Sequence, residues 1–358
     1  MADNRLLQKA DDLIQEFVIE AKKILEQADS SSVPTKNLYH YTSFSNLKRI
    51  INNKELSFTH YRHLNDPMEV KLAEDMLDSV VKNHYSPYKN IFWDDFRRIF
   101  PCFLDKEKFN AAKKKNHFTT IEDINLDIYT FSFCEEPDHL PAWRWYGGNG
   151  TGVAIGFRPD YFKTQEIKTE GTSNRPPHAI NIKVRYNDEP NFDEELKKYL
   201  ELTEKTINDL VDFCSRNQFE LFLKELQSRL ASFLLPLMAG FKDKGYKEEK
   251  EHRLYYMECK ITFNNGDKPY FFPFDEIPEK RKDVRQRKTT QDGVCLPYVD
   301  PNIPYVKHPI SLEDITEIRV GPSVDFKCCK KEIMKLLEKQ GLNKDGIKIK
   351  PSRKHYRA

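Results

Sequence analysis

The residues IYTFSFCEEPDHLPAWRWYGGNGTGVAIGF, 128–157, decide the reading of the fold. IYTFSFC predicts a strand, EEPDHLP a turn, and WRWYG an aromatic stretch. GGNGTG predicts a hairpin turn into a second strand, VAIGF. Upstream, Leu38–Thr59 reads strand, helix, strand. Ser43 or Ser45 is positioned to cap a helix that carries Leu47, Ile50 and Ile51 on one face. Next, Asp66 suits an N-cap, Pro67 the first helical position and Glu69 the third, as in a capping box. The helix it opens carries Val70, Ala73, Met76, Leu77, Val80 and Val81. Residues 84–118 read as helical and charged.

Downstream, INIKVRYN (180–187) predicts a strand and 190–240 predict long helices. Short strands are expected at 253–263, 270–274, 294–299, 303–306, 315–320 and 346–350, with a helix at 329–340. At the N-terminus, Leu7, Ala10, Ile14, Phe17, Ala21 and Ile24 recur at helical spacing, so 1–30 predict one amphipathic helix docked on the body. A linker around SSSVPTKN follows. Groups of strands separated by helical insertions make the class α+β. The division expected is a helix and linker over 1–36 and a main domain over 37–358, with helical insertions near 68–118 and 190–240.

The chain has 358 residues, 39% hydrophobic and 32% charged, with 24 Phe and 17 Tyr. Mean hydropathy is −0.72. That is a globular balance with enough apolar material for a core. The longest uncharged apolar stretch, Phe233 to Phe241, is too short to cross a bilayer. Lys+Arg number 58 against 56 Asp+Glu. Bulk charge therefore does not suggest nucleic acid as a partner. Seven scattered cysteines without a C-x-x-C indicate a reducing environment and no cysteine-based zinc site. Early acids and no apolar run at the N-terminus argue against a secretory signal. The expected location is the cytoplasm, or another cell reached by a signal-peptide-independent route.

GGNGTG lacks the G-x-G-x-x-G spacing and runs into a strand, so it is not read as a dinucleotide fingerprint. His60 and His63 complete no metal set.

Three groups of residues can carry chemistry. His40 lies at a strand end before a capped helix, where it either reaches a ligand cleft or bonds nearby backbone. In YKEEKEHRLYYMECKITF (246–263), alternation projected backwards puts Arg253, Glu251 and Glu249 on the face of the apolar residues. Two carboxylates aimed inward are costly to bury unpaired. They pair with a cation such as Arg253, or line a site, or the strand begins only after 253 and they form a solvated turn. Trp143, Trp145 and Tyr146 stand beside a glycine turn, near Ser132, and either stack a planar ring or pack a core.

The order LYHYTS, HLNDP, FSFCEEPDHLPAWRWYG, G-x-AIGF, KGYKEEKEHRLYY, ITEIRVGP and S-x-x-x-Y-R resembles a bacterial family catalogued only as a domain of unknown function, over roughly 37–358. That pattern in turn resembles the ADP-ribosyltransferase superfamily. The resemblance implies an α+β fold with split mixed or antiparallel sheets, and NAD as co-substrate. It implies that His40 holds a ribose hydroxyl of NAD, flanked by Tyr41 and Thr42. Ser132 lies on the middle strand, Trp143 or Tyr146 covers the nicotinamide, and Arg253 neighbours the late glutamate, Glu251. Glu249-Lys250-Glu251 matches the E-x-E form that goes with arginine acceptors on a target protein. No S-T-S triplet is present, 187–240 has no counterpart, and Glu248 offers an alternative register for the pair.

The activity so implied is mono-ADP-ribosyl transfer by a toxin, effector or defence enzyme, with Glu251, Glu249 and His40 as its catalytic residues. A carboxylate at the ribose 2′-hydroxyl favours the oxocarbenium character that develops as nicotinamide leaves. A second carboxylate orients or deprotonates the nucleophile. NAD hydrolysis, or modification of nucleic acid, keeps the fold and changes the acceptor. A non-catalytic interaction module, with Glu251 a structural partner of Arg253, is the competing class.

Overall fold

The computed structural model describes residues 2–30, 34–64, 69–104, 106–114, 121–163, 179–188, 191–212, 216–263, 270–271, 280–281, 305–342 and 346–355. The chain runs α1 (Ala2–Ser30), β1 (Leu38–Thr42), α2 (Phe44–Asn53), β2 (Glu55–His60), α3 (Glu69–Asn83), α4 (Asp94–Leu104) and α5 (Lys106–Lys114). It continues through β3 (Ile121–Cys134), α6 (Leu140–Trp145), β4 (Val153–Phe157), β5 (Ile180–Lys183), β6 (Arg185–Tyr186), α7 (Asn191–Val211) and α8 (Arg216–Ala239). It ends with β7 (Phe241–Lys242), β8 (Glu251–Phe263), β9 (Tyr270–Phe271), β10 (Lys280–Arg281), β11 (Tyr305–Pro309), β12 (Ile315–Val320), α9 (Phe326–Lys339) and β13 (Lys348–Pro351). The class is α+β, as the alternating strand and helix patterns predict.

The described strands form one eleven-stranded sheet and a small β6–β7 pair. The large sheet is antiparallel except where β12 meets β13. Its spine is the β3–β8 ladder, from Ile121 opposite Phe263 to Cys134 opposite Glu251. The other edge of β3 forks. β1 meets it at Tyr39 opposite Cys134, while β2 pairs at Thr59 opposite Thr130 and His60 opposite Tyr129. One limb runs β1-β4-β12-β13 and the other β2-β11-β10. The described strands therefore do not form the split sheets that the resemblance implies: the two limbs fork within one hydrogen-bonded sheet.

Alternation along β3 and β8 puts a core on each face. Ile128 and Tyr255 face a large helical layer. Tyr129, Phe131, Phe133, Leu254 and Tyr256 face a second core shared with α2 and α9. The N-terminal helix docks on the helical layer through buried Ala10, Ile14, Phe17 and Ala21. Burying Ile14 and Phe17 contributes about 1.5–3 kcal/mol each. Ser43 is the cap of α2, its Oγ accepting from Asn46 N at 3.2 Å.

Three expectations change. The hairpin expected at GGNGTG is absent: Pro141, with its fixed φ, opens α6 within the aromatic stretch, and the turn at 147–152 follows that helix. β3 and β4 are not neighbours but lie on opposite edges of β1. β8 begins at Glu251, because Lys244–Glu249 wind into a 3-10 turn that Lys250 ends at φ 47°. The Asp66–Pro67 cap, the 294–299 strand and the C-terminal Tyr356 and Arg357 lie outside the described residues.

Candidate functional site

Where β1 and β3 part, the edge of β3 at Phe131–Phe133 has no ladder partner in β1. His40 stands there. Its Nδ1 lies 3.0 Å from the Ser132 carbonyl oxygen, and its ring packs 4.1 Å from Phe131. A carbonyl accepts, so Nδ1 carries the hydrogen and Nε2 keeps a free lone pair. Burial pulls the His40 pKa down to about 4, against the smaller pull of the Ser132 bond, so the ring is neutral at physiological pH.

Glu251 opens β8 on the face shared with Ser132 and Arg253, which sit opposite each other across the ladder. It is 5% exposed. Arg253 grips it as a fork, Nε to Oε1 at 2.7 Å and Nη2 to Oε2 at 2.9 Å. Lys242 Nζ adds a bond to Oε2 at 3.1 Å. Burial pushes the Glu251 carboxyl up, but Arg253, Lys242 and the Ser132 hydroxyl outweigh it and hold the group well below the usual carboxylate range.

Glu249 reaches the same place by a different route. The 3-10 turn and the left-handed Lys250 fold it back beside Glu251. Lys242 Nζ lies 2.5 Å from its Oε2, and the Tyr146 hydroxyl donates to its Oε1 at 2.5 Å. Burial raises the Glu249 pKa, and the charge of Glu251 adds to this. One lysine therefore ties together two carboxylates held in opposite protonation tendencies. The Glu251 backbone N–H donates to the Tyr186 hydroxyl at 3.3 Å, which fixes the β8 start against β6.

These groups surround one open cleft. Tyr39, His40, Tyr41, Ser132, Glu249 and Glu251 line it, with Cys134, Trp145 and Tyr146 on its walls. The distant His40 and Glu251 thus meet at one hollow, as do Ser132, Glu249 and Tyr146. Tyr41 lines the cleft by its ring, while its hydroxyl donates to the Glu136 carbonyl and accepts from His139 N–H, both at 2.7 Å.

Three residues named from the sequence take other places. Trp143 is fully buried, edge-on to Tyr41 and bonded through Nε1 to Asp138, so it packs the floor instead of covering a ligand. Trp145, 49% exposed, holds the wall position instead. Thr42 is buried and accepts from Asn46, away from the cleft. Arg253, 2% exposed, does not line the cleft; it holds Glu251, which does. The Glu249 expectation holds in position but not in cause, since strand alternation does not extend to it.

Sequence reasoning missed Lys242. It sits in a two-residue strand just after α8, with no local pattern to distinguish it from Lys244 or Lys247. Among the described residues, no group of three His, Cys, Asp or Glu is placed to hold a metal ion. No described helix is long and apolar enough to cross a membrane.

Residues 142–254 match the model of a family described as "Protein of unknown function (DUF2971)". The match runs from α6 into β8, so it includes Tyr146, Lys242, Glu249, Glu251 and Arg253 but not His40 or Ser132. It is narrower than the span over which the motifs are read. No curated protein and no solved structure matches the chain.

Proposed function

We propose that the chain binds NAD in this cleft, breaks its nicotinamide–ribose bond and passes ADP-ribose to an acceptor. The observation that carries this reading is the convergence of His40, Ser132, Glu249 and Glu251, from separate segments, on one open hollow.

Each residue type suits its part. Glu251 is kept ionised by Arg253 and Lys242 and is fixed in direction before any ligand arrives. Such a preorganised charge favours a developing oxocarbenium ion, an effect of roughly 10²–10³ in rate for a single group. Neutral His40 offers Nε2 to a ribose hydroxyl. Ser132, whose hydroxyl rotates freely, can exchange its bond to Glu251 for one to the ligand. Trp145 and Tyr146 offer ring faces for a planar base. Glu249, with its raised pKa, is suited to take a proton from a nucleophile.

Nicotinamide release from NAD, followed by chromatography, tests this. The expected result is turnover that His40→Ala lowers by about 10²-fold or more, with folding unchanged by circular dichroism. No nicotinamide and no labelled macromolecule from labelled NAD in lysate would refute it.

A second reading, a non-catalytic interaction module, is favoured by one observation: Glu251 is gripped as a structural ion pair would be. Thermal shift separates the two. NAD at about 100 times its Kd stabilises a binding protein by about 2.7 kcal/mol; a module that ignores NAD shows no shift.

A further inference from the structure

We infer that the acceptor served by this cleft is a neutral hydroxyl, of water or of an alcohol, and not the guanidinium that the E-x-E resemblance implies. This rests on the NAD reading above and concerns only the second half of the reaction.

The inference comes from the charges already present. A guanidinium needs a carboxylate with unspent negative charge. Glu249, the carboxylate in the acceptor position, has Lys242 Nζ 2.5 Å from Oε2, and the same ammonium reaches Glu251 at 3.1 Å. Arg253 occupies the rest of Glu251. Lys242, Arg253, Glu249 and Glu251 are each less than a tenth exposed. Two cations and two anions are thus closed on each other with no net charge left over. A guanidinium brought against Glu249 would face Lys242 across a single carboxylate, in a site too dry to screen the repulsion.

The other oxygen shows what does fit. Glu249 Oε1 accepts from the Tyr146 hydroxyl, a neutral O–H donor, at 2.5 Å. Tyr146 is 37% exposed and lies on the wall of the cleft. An incoming hydroxyl can take its place on Oε1 without altering the charge of the cluster. A buried carboxylate whose proton affinity burial raises, held beside such an O–H, is a general base for it.

The step balances without another reagent. The bond between C1 of the ribose and the nicotinamide nitrogen breaks, and nicotinamide leaves neutral with the electron pair. The acceptor oxygen forms the new bond to C1, and its proton passes to Glu249 and from there to solvent. NAD and R–OH give O-linked ADP-ribose, nicotinamide and one proton; with water the product is free ADP-ribose.

The test uses the full chain with NAD in three arms: buffer alone, added methanol, and added agmatine, a small guanidinium. Products are identified by mass and nicotinamide is measured in each. The expected result is ADP-ribose in buffer, O-methyl ADP-ribose rising with methanol, and no agmatine conjugate. Water and alcohol as sources are distinguished by the first two products. Lys242→Met removes the competing cation, and a folded variant forms agmatine conjugate where the wild type forms none. Agmatine conjugate from the wild-type chain overturns the acceptor assignment and leaves the NAD reading standing. A folded Lys242→Met that turns over NAD yet still refuses agmatine also overturns it. Absence of nicotinamide in all three arms overturns the NAD reading itself, and this inference with it.

Discussion

Replacing Glu251 by Gln removes the anion that two buried cations share. Gln keeps one carbonyl acceptor and the same volume, so packing is nearly conserved. What is lost is charge: Arg253, 2% exposed, keeps a guanidinium in the interior without the carboxylate it gripped at 2.7 and 2.9 Å. Breaking a buried pair by removing one partner costs about 3–5 kcal/mol. The retained acceptor and the neighbouring Glu249 put the expected loss near the lower end, about 3 kcal/mol. For a chain of this size that corresponds to a fall of roughly 6 °C in Tm, at about 2 °C per kcal/mol.

The loss depends on pH with a definite sign. Glu251 titrates lower in the folded chain than unfolded, so its contribution is complete above the unfolded value of about 4.3 and fades as pH falls towards the folded one. Gln does not titrate. The gap between wild type and Glu251→Gln is therefore full at neutral pH and narrows below about pH 4. Urea unfolding followed by circular dichroism at both ends of that range measures it. Glu251→Gln/Arg253→Met should recover part of the loss, since the stranded cation is gone. An unchanged midpoint at neutral pH, or a double variant less stable than either single one, would refute the ion-pair reasoning. A loss of activity in Glu251→Gln thus needs a stability measurement beside it.

His40 and His308 are both pulled down to about 4 by burial, against about 6.5 unfolded. Between those values the unfolded chain binds more protons, so stability should fall on acidification below pH 6.5, by up to about 3 kcal/mol per histidine; a flat urea midpoint from pH 7 to pH 4.5 would contradict this. Trp143→Ala should cost about 3–5 kcal/mol as a core truncation, while Trp145→Ala should leave the melt within about 0.5 kcal/mol and weaken NAD binding; melting curves with and without NAD compare them. Gly152→Ala would put a Cβ 2.2 Å from the Thr42 carbonyl oxygen and 2.9 Å from that of Gly147. Neither is a flexible side chain, so little soluble folded protein is expected, and a normal yield with a wild-type melt would be the contrary result.

Much of the fold is legible because its signals are local. The apolar spacing of Ala10, Ile14, Phe17 and Ala21 marks the buried stripe of α1, and the Ser43 cap marks the start of α2. WRWYG carries no decisive signal, because aromatic residues suit either state and Pro141 as a helix opener is weak. The site is legible only in part. His40, Ser132 and Glu251 sit on strands whose faces a period of two predicts. Backward alternation does not reach Glu249: a left-handed Lys250, not a pleat, brings it to the cleft.

What the sequence by itself determined is therefore the set of elements, the α+β class and the residue types available for chemistry, because each is fixed by neighbours within a few positions. Which of those residues meet was decided only by the tertiary structure. The fork of β3 leaves a carbonyl for His40, and the short β6–β7 pair carries Lys242 to two carboxylates seven and nine positions further on. Whether a charge is free or already matched depends on which strands lie side by side, and no window along the chain contains that.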